Sequence, residues 1–126
     1  MNILNEIKFD ERGLVPAIIQ DAENGEVLML AYMNDRAVEE TLAGPYVTFY
    51  SRSRNKMWRK GEESGHTQEV QEIFYDCDID CLLIKVKQKV AACHEGYRSC
   101  FFRKIDAGET TIVGKKLFDP KQTYKK

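Results

Sequence analysis

The residues with the most chemistry in them are four cysteines, two histidines and a short aspartate-rich run. In DCDID, Asp76, Asp78 and Asp80 put three carboxylates within five residues, with Cys77 between the first two. If that stretch is extended its side chains alternate, so the three aspartates share one face and Cys77 takes the other. Carboxylate oxygens are the ligands Mg²⁺ prefers and thiolate sulfur is what Zn²⁺ prefers, so one strand would offer a hard face and a soft one. A solvated acidic turn is the alternative reading. Farther on, ACHEGYRSC holds Cys93 and Cys100 seven positions apart, with His94 beside the first and Gly96 free to curl the loop. Two thiolates at that separation can converge on one ion if the loop folds back. The spacing is looser than the C-x-x-C hooks of zinc fingers, and inert buried cysteines are the plain alternative.

A structural zinc takes four protein ligands, whereas a catalytic zinc takes three and leaves a position for water. Cys77, Cys93 and Cys100 make three. Cys81 opens the apolar run CLLI and reads as a core residue, with a fourth-ligand role as the alternative. His94 is either a ligand or a proton carrier, and its adjacency to Cys93 makes ligation by both awkward, which favours proton transfer. His66, in SGH, lies at a glycine-flanked turn, where it is a surface residue, a support for a metal ligand or a substrate contact.

A second concentration of chemistry is SRSRNKMWRKGEESGH, with Arg52, Arg54, Lys56, Arg59 and Lys60 among Ser51, Ser53, Ser64, Gly61 and Gly65. Arginine forks, hydroxyls and glycine-exposed amides are the groups that hold phosphate oxygens. Arg52 and Arg54 would project to the same face of an extended segment and tolerate each other best around an anion. Arg98, inside the cysteine loop, would bring a further positive charge close to the metal. Arg52, Arg54, Lys60, Ser64 and Arg98 are therefore the candidate phosphate and substrate contacts. The alternative is a solvated basic hairpin, and Trp58 is more readily a core residue than a platform for a base.

These groups need a scaffold. LVPAIIQD (14–21) and EVLMLAYM (26–33) are apolar and separated by the turn-like AENG, which reads as a hairpin. Asn34 offers a helix N-cap, Ala37, Val38, Thr41 and Leu42 fall on one helical face, and Gly44-Pro45 stops the helix. VTFYS (47–51) and KMWRK (56–60) read as strands around a polar turn, and QEVQEIFY (68–75) as a longer strand. Leu82, Ile84 and Val86 alternate with Lys85 and Lys87, the pattern of a half-buried strand. FFRKI (101–105) and ETTIVGKK form a further hairpin around Asp106-Ala107-Gly108, and DPKQTYKK is a frayed tail. Short strands outnumber helices, so the fold class is α+β, a mostly antiparallel sheet with one or two short helices.

The 126 residues suit one domain spanning 1–126. With 43% hydrophobic and 31% charged residues the composition is that of a folded chain. Nineteen basic and 20 acidic residues nearly cancel, leaving no bulk field to draw the protein onto nucleic acid or an anionic membrane. The N-terminus lacks the basic start and apolar stretch of a signal peptide, and no apolar run approaches the roughly 20 residues of a membrane span. A cytoplasmic location is expected, where reduced cysteines point to metal or catalysis rather than disulfides.

The text from LVPAIIQD through EVLMLAYMN, FYSRSRNKMWRKGEESGH, DCDIDCLL and VKQ to ACHEGYRSCFF, roughly residues 13 to 102, closely resembles the phosphoribosyl-AMP cyclohydrolase family. The resemblance implies hydrolysis of the N1–C6 bond in the adenine ring of phosphoribosyl-AMP, the third step of histidine biosynthesis, in the single-function form. It implies an intertwined homodimer in which Cys93 and Cys100 bind Zn²⁺ together with Cys77 of the other subunit, and a Mg²⁺ site at Asp76, Asp78 and Asp80. His94 is then expected to take a proton from the attacking water and return it to N1 as the ring opens. Where the family often reads FWSRSR and GETSG, this chain has Tyr50 and Glu63, departures that bear on packing or phosphate contacts. Two rivals share the chemistry: a non-enzymatic zinc module on nucleic acid, which the acidic cluster and neutral balance oppose, and a zinc hydrolase acting on another purine nucleotide.

Overall fold

The computed structural model describes residues 2–123, and its centre is a four-stranded sheet whose strands lie in the order Val27–Met33, Val15–Asp21, Leu82–Gln88, Gln68–Tyr75. Strand β1 (Val15–Asp21) pairs antiparallel with β2 (Val27–Met33) as the hairpin the sequence predicts. Its other edge pairs parallel with β6 (Leu82–Gln88), which pairs antiparallel with β5 (Gln68–Tyr75). The sheet is thus mostly antiparallel, with one parallel contact at its middle.

Alternation explains which faces are covered. In β1, Val15, Ala17 and Ile19 are fully buried, and in β6 the predicted set Leu82, Ile84 and Val86 is buried while Lys87 is exposed. Helix α1 (Asp35–Ala43) lies over this core and contacts β2. Its start follows from Asn34, whose Oδ1 accepts the Ala37 amide at 2.8 Å, and its buried face is Ala37, Val38 and Thr41. Leu42, expected on that face, stays 46% exposed at the rim of an apolar groove.

Strands β3 (Thr48–Ser51) and β4 (Lys56–Arg59) form a separate antiparallel hairpin. It is tied to the β5 edge of the main sheet, where the Val47 amide donates to the Gln68 carbonyl at 3.1 Å and the Val70 amide to Pro45 at 2.8 Å. Phe49, fully buried, packs on Trp58 with ring centroids 5.0 Å apart, so this hairpin carries its own piece of core. Strands β7 (Arg103–Asp106) and β8 (Glu109–Ile112) make a second, exposed hairpin. Its turn residues Ala107 and Gly108 have φ of 48° and 82°, the left-handed pair of a type I′ turn.

Three local expectations are corrected. The DCDID stretch is not extended: residues 76–81 are the turn joining β5 to β6, closed by the Ile79 amide donating to the Asp76 carbonyl at 3.0 Å, with Ile79 at φ 58°. Arg52 and Arg54 lie in the turn between β3 and β4, so strand alternation does not govern them. The tail is not frayed where it is described: the Lys121 amide donates to Asp119 Oδ1 at 3.0 Å, and Pro120–Thr123 form a one-turn helix α2. The remainder of the predicted tail, 124–126, lies outside the described residues.

Candidate active site and metal centres

The segment from Ala91 to Cys100 has no regular secondary structure, so its shape is set by individual hydrogen bonds. Gly96 donates to the Cys93 carbonyl at 3.1 Å to close a turn around His94, and the Cys93 and Ala92 amides donate to the Tyr97 and Arg98 carbonyls at 3.2 and 2.9 Å. Gly96 has φ 102°, and a Cβ there would lie 2.5 Å from the Phe118 carbonyl, so the returning C-terminal segment requires glycine. The far end is sewn to β2: the Cys100 amide donates to Leu28 at 2.7 Å and Ser99 Oγ to Val27 at 2.8 Å.

This folding back brings Cys93 and Cys100 side by side. Cys93 is buried and its Sγ accepts the Glu95 amide at 3.4 Å. Cys100 is exposed as a residue, yet desolvation of its sulfur, reinforced by Cys93, pushes its thiol up to about 12. Two adjacent thiols resist ionising together unless a cation answers their charge. Lys60 faces the same pair. It is only 6% exposed, burial holds its ammonium below the ordinary lysine value, and the charges of Cys100 and Cys93 oppose that shift. A soft, partly charge-compensated sulfur pair is a donor set that fits zinc.

Beside the pair opens a cleft of about 780 Å³, lined by His94, Lys60, Arg54, Ser64, Trp58 and Pro120 among others. The turn around Gly61 forms one wall: Gly65 donates to the Gly61 carbonyl at 2.7 Å, and Ser64 Oγ accepts the His66 amide at 3.1 Å. His66 is 9% exposed, and its ring meets the edge of Phe118 at 4.7 Å. Burial, then the charges of Lys60 and Lys89, lowers its pKa from 6.5. It is neither a surface residue nor a lining group of the cleft, but packs behind the wall.

The acidic turn forms a separate centre. Asp76, Asp78 and Asp80 are exposed, and each offers an oxygen within 4.8 Å of the others. Asp76 Oδ1 accepts the Asp80 amide at 3.0 Å, which holds the Asp76 carboxyl below the usual range, while the hydrogen bond to Asp76 pushes the Asp80 carboxyl up. Carboxylates crowded in this way are relieved by a hard cation. Cys77 is exposed in the same turn, and Cys81 is half-buried with its thiol pushed up by burial and by Asp76 and Asp80. Among the described residues, Cys77 does not come together with Cys93 and Cys100 within one chain.

Of the predicted phosphate contacts, Arg54, Lys60 and Ser64 meet at the cleft. Arg52 instead lies 4.0 Å over the Tyr32 ring. Arg98 is engaged by two carboxylates, Asp21 Oδ2 and, at 2.9 Å, Glu26 Oε1. Of the two departures from the family pattern, Glu63 lines the cleft and Tyr50 is half-buried in β3. Sequence reasoning missed Asp21, read only as the end of the first strand, and Pro120, assigned to the tail.

A family model described as phosphoribosyl-AMP cyclohydrolase matches residues 29–102. The chain is 56% identical over 124 residues to the phosphoribosyl-AMP cyclohydrolase of Pelotomaculum thermopropionicum, covering 98% of this chain and 96% of that protein. It is 57% identical over 120 residues to the protein of that name from Methanospirillum hungatei, covering 95% and 89%. With that of Methanococcoides burtonii it shares 50% over 121 residues, covering 96% and 98%. On matches of this breadth, which take in the cysteine loop, the acidic turn and the basic cleft alike, the chain belongs to the phosphoribosyl-AMP cyclohydrolase family.

Proposed function

We propose that this chain hydrolyses the N1–C6 bond of the adenine ring in phosphoribosyl-AMP, the ring-opening step of histidine biosynthesis. The observation that carries the reading is the cleft lined by His94, Arg54 and Lys60, with the side-by-side Cys93 and Cys100 next to Lys60, in a chain of this family. In the reaction water adds at C6, the N1–C6 bond breaks, N1 gains a proton, and C6 becomes a carbonyl bearing the former exocyclic nitrogen. Cys93, Cys100 and a third cysteine would hold zinc, which would supply the Lewis acidity that makes water nucleophilic near neutral pH.

The chain's own groups do the rest. His94, exposed at the cleft, takes the proton from the attacking water and delivers it to N1. Arg54 and Ser64 hold phosphate oxygens, and Arg52 extends that reach if its guanidinium leaves Tyr32. Lys60 sits too deep to reach far, so it answers the sulfur charge and the nearest phosphate together. Arg98, committed to Asp21 and Glu26, serves the site by holding its loop. Asp76, Asp78 and Asp80 would hold Mg²⁺, a hard cation that would supply positive charge for a substrate oxygen.

The third cysteine is Cys77 of a second copy of the chain. The turn that carries Cys77 precedes β6 and the loop that carries Cys93 follows it. Seven residues of strand span roughly 20 Å, far more than a zinc site tolerates. A homodimer that lays the acidic turn of one copy against the thiol loop of the other removes that distance. Loss of adenine-ring absorbance with phosphoribosyl-AMP, and none with AMP or adenosine, is the expected outcome of the direct assay. Turnover of AMP or adenosine instead would assign the site to another purine substrate.

A further inference from the structure

We propose that Asp21 is a positioning residue: through its ion pair with Arg98 it holds Cys93 and Cys100 in a metal-ready arrangement, an inference that rests on the reading of these two cysteines as zinc ligands. Asp21 and Arg98 are 77 positions apart in sequence. Asp21 is the last residue of β1 and is 5% exposed. Its Oδ1 is occupied by the turn between β1 and β2, accepting the Glu23 amide at 2.7 Å and the Asn24 amide at 3.2 Å. Its Oδ2 is given to the Arg98 guanidinium. The guanidinium also reaches Glu26, across the same turn, at 2.9 Å.

Arg98 is the residue from which the thiol loop is hung. Its carbonyl accepts both the Ala92 amide at 2.9 Å and Gln88 Nε2 at 3.1 Å, linking the two ends of the loop to the end of β6. The next residues, Ser99 and Cys100, are fastened to Val27 and Leu28. A loop without regular structure therefore owes the placement of its second thiol to contacts with the β1–β2 hairpin. Asp21 is the buried and doubly anchored member of those contacts, whereas Glu26 is 41% exposed at its side chain. Groups that orient metal ligands without touching the metal commonly govern affinity by about 10- to 100-fold.

The test is zinc affinity of the full-length chain, measured by competition with a chromogenic chelator well below the unfolding temperature, with the unfolding midpoint of the metal-free protein recorded alongside. Asp21→Asn keeps an oxygen for the Glu23 and Asn24 amides while presenting an NH₂ group to Arg98. It is expected to weaken zinc binding by about 10- to 100-fold, with partial recovery in Asp21→Glu. Glu26→Gln, which removes the more exposed partner, is expected to change it by no more than about threefold. Should Asp21→Asn fail to fold, Arg98→Gln carries the same expectation from the other side of the pair. Unchanged zinc affinity beside a lowered midpoint would assign Asp21 to fold stability alone and overturn the inference. If Cys93→Ser and Cys100→Ser bind zinc as tightly as the unaltered chain, the ligand reading itself falls and the inference with it.

Discussion

Cys93 and Cys100 make chemical sense together only if something neutralises them. Burial and the neighbouring sulfur push Cys100 up to about 12, so at neutral pH the metal-free Cys100 thiol holds its proton. Replacing either cysteine with serine is expected to abolish zinc retention and turnover, read by metal content and by loss of adenine absorbance; unaltered turnover in either variant would refute the assignment. His94→Ala is expected to lower turnover by about 10²- to 10⁴-fold with zinc still bound, and zinc loss in that variant would make His94 a ligand instead. His66 gives a pH signature. Its folded pKa lies below 6.5, so above that pH both folded and unfolded chains carry it neutral and it contributes nothing. As pH falls through 6.5 the unfolded chain takes the proton first, and stability falls with it. Denaturation midpoints compared between about pH 7.5 and 5.5 should drop less in His66→Gln than in the unaltered protein. Equal drops would show that His66 is not the group responsible.

Among the elements, the turn around Gly61 constrains the cleft wall most tightly. Gly61 has φ 88°, and a Cβ there would lie 2.7 Å from the His66 carbonyl carbon and the Thr67 amide, backbone atoms that cannot swing aside. Gly65, at φ 79°, has open space around its missing Cβ. Gly65→Ala is therefore expected to cost about 1 to 2 kcal/mol, the left-handed penalty alone, and Gly61→Ala more, with a raised KM because Ser64 moves. Thermal midpoints and substrate titration check both, and equal costs would contradict the geometry. The same elements mark where the sequence could be read. The period of two through Leu82, Ile84 and Val86 and the Asn34 cap act within a few residues, and both are realised as read. The aspartates of DCDID do gather, but in a turn whose geometry places Ile79 at φ 58°, where a β-branched side chain gives no warning. Arg52 and Arg54 part because a turn interrupts the alternation that would have aligned them. The grip of Asp21 on Arg98 and the return of Pro120 to the cleft are tertiary contacts, and no local pattern encodes them.

At the scale of the whole molecule, the roughly 20 Å of β6 between the Cys77 turn and the Cys93 loop is the fact that a catalytic centre must overcome. Within one chain Cys77 stays apart from Cys93 and Cys100, and the acidic turn and the thiol loop occupy opposite ends of the strand. The proposed two-fold dimer would turn that separation into two equivalent sites, each built from both copies. Subunit mixing examines this directly. Cys77→Ser and Cys93→Ser chains, each inactive as a homodimer, are unfolded, combined in equal amounts and refolded, and phosphoribosyl-AMP turnover is measured. A mixed dimer then contains one site with both lesions and one with none. With half of the dimers mixed, recovery of about a quarter of the unaltered activity is expected, whereas no recovery from chains that refold and pair would contradict a site shared between subunits.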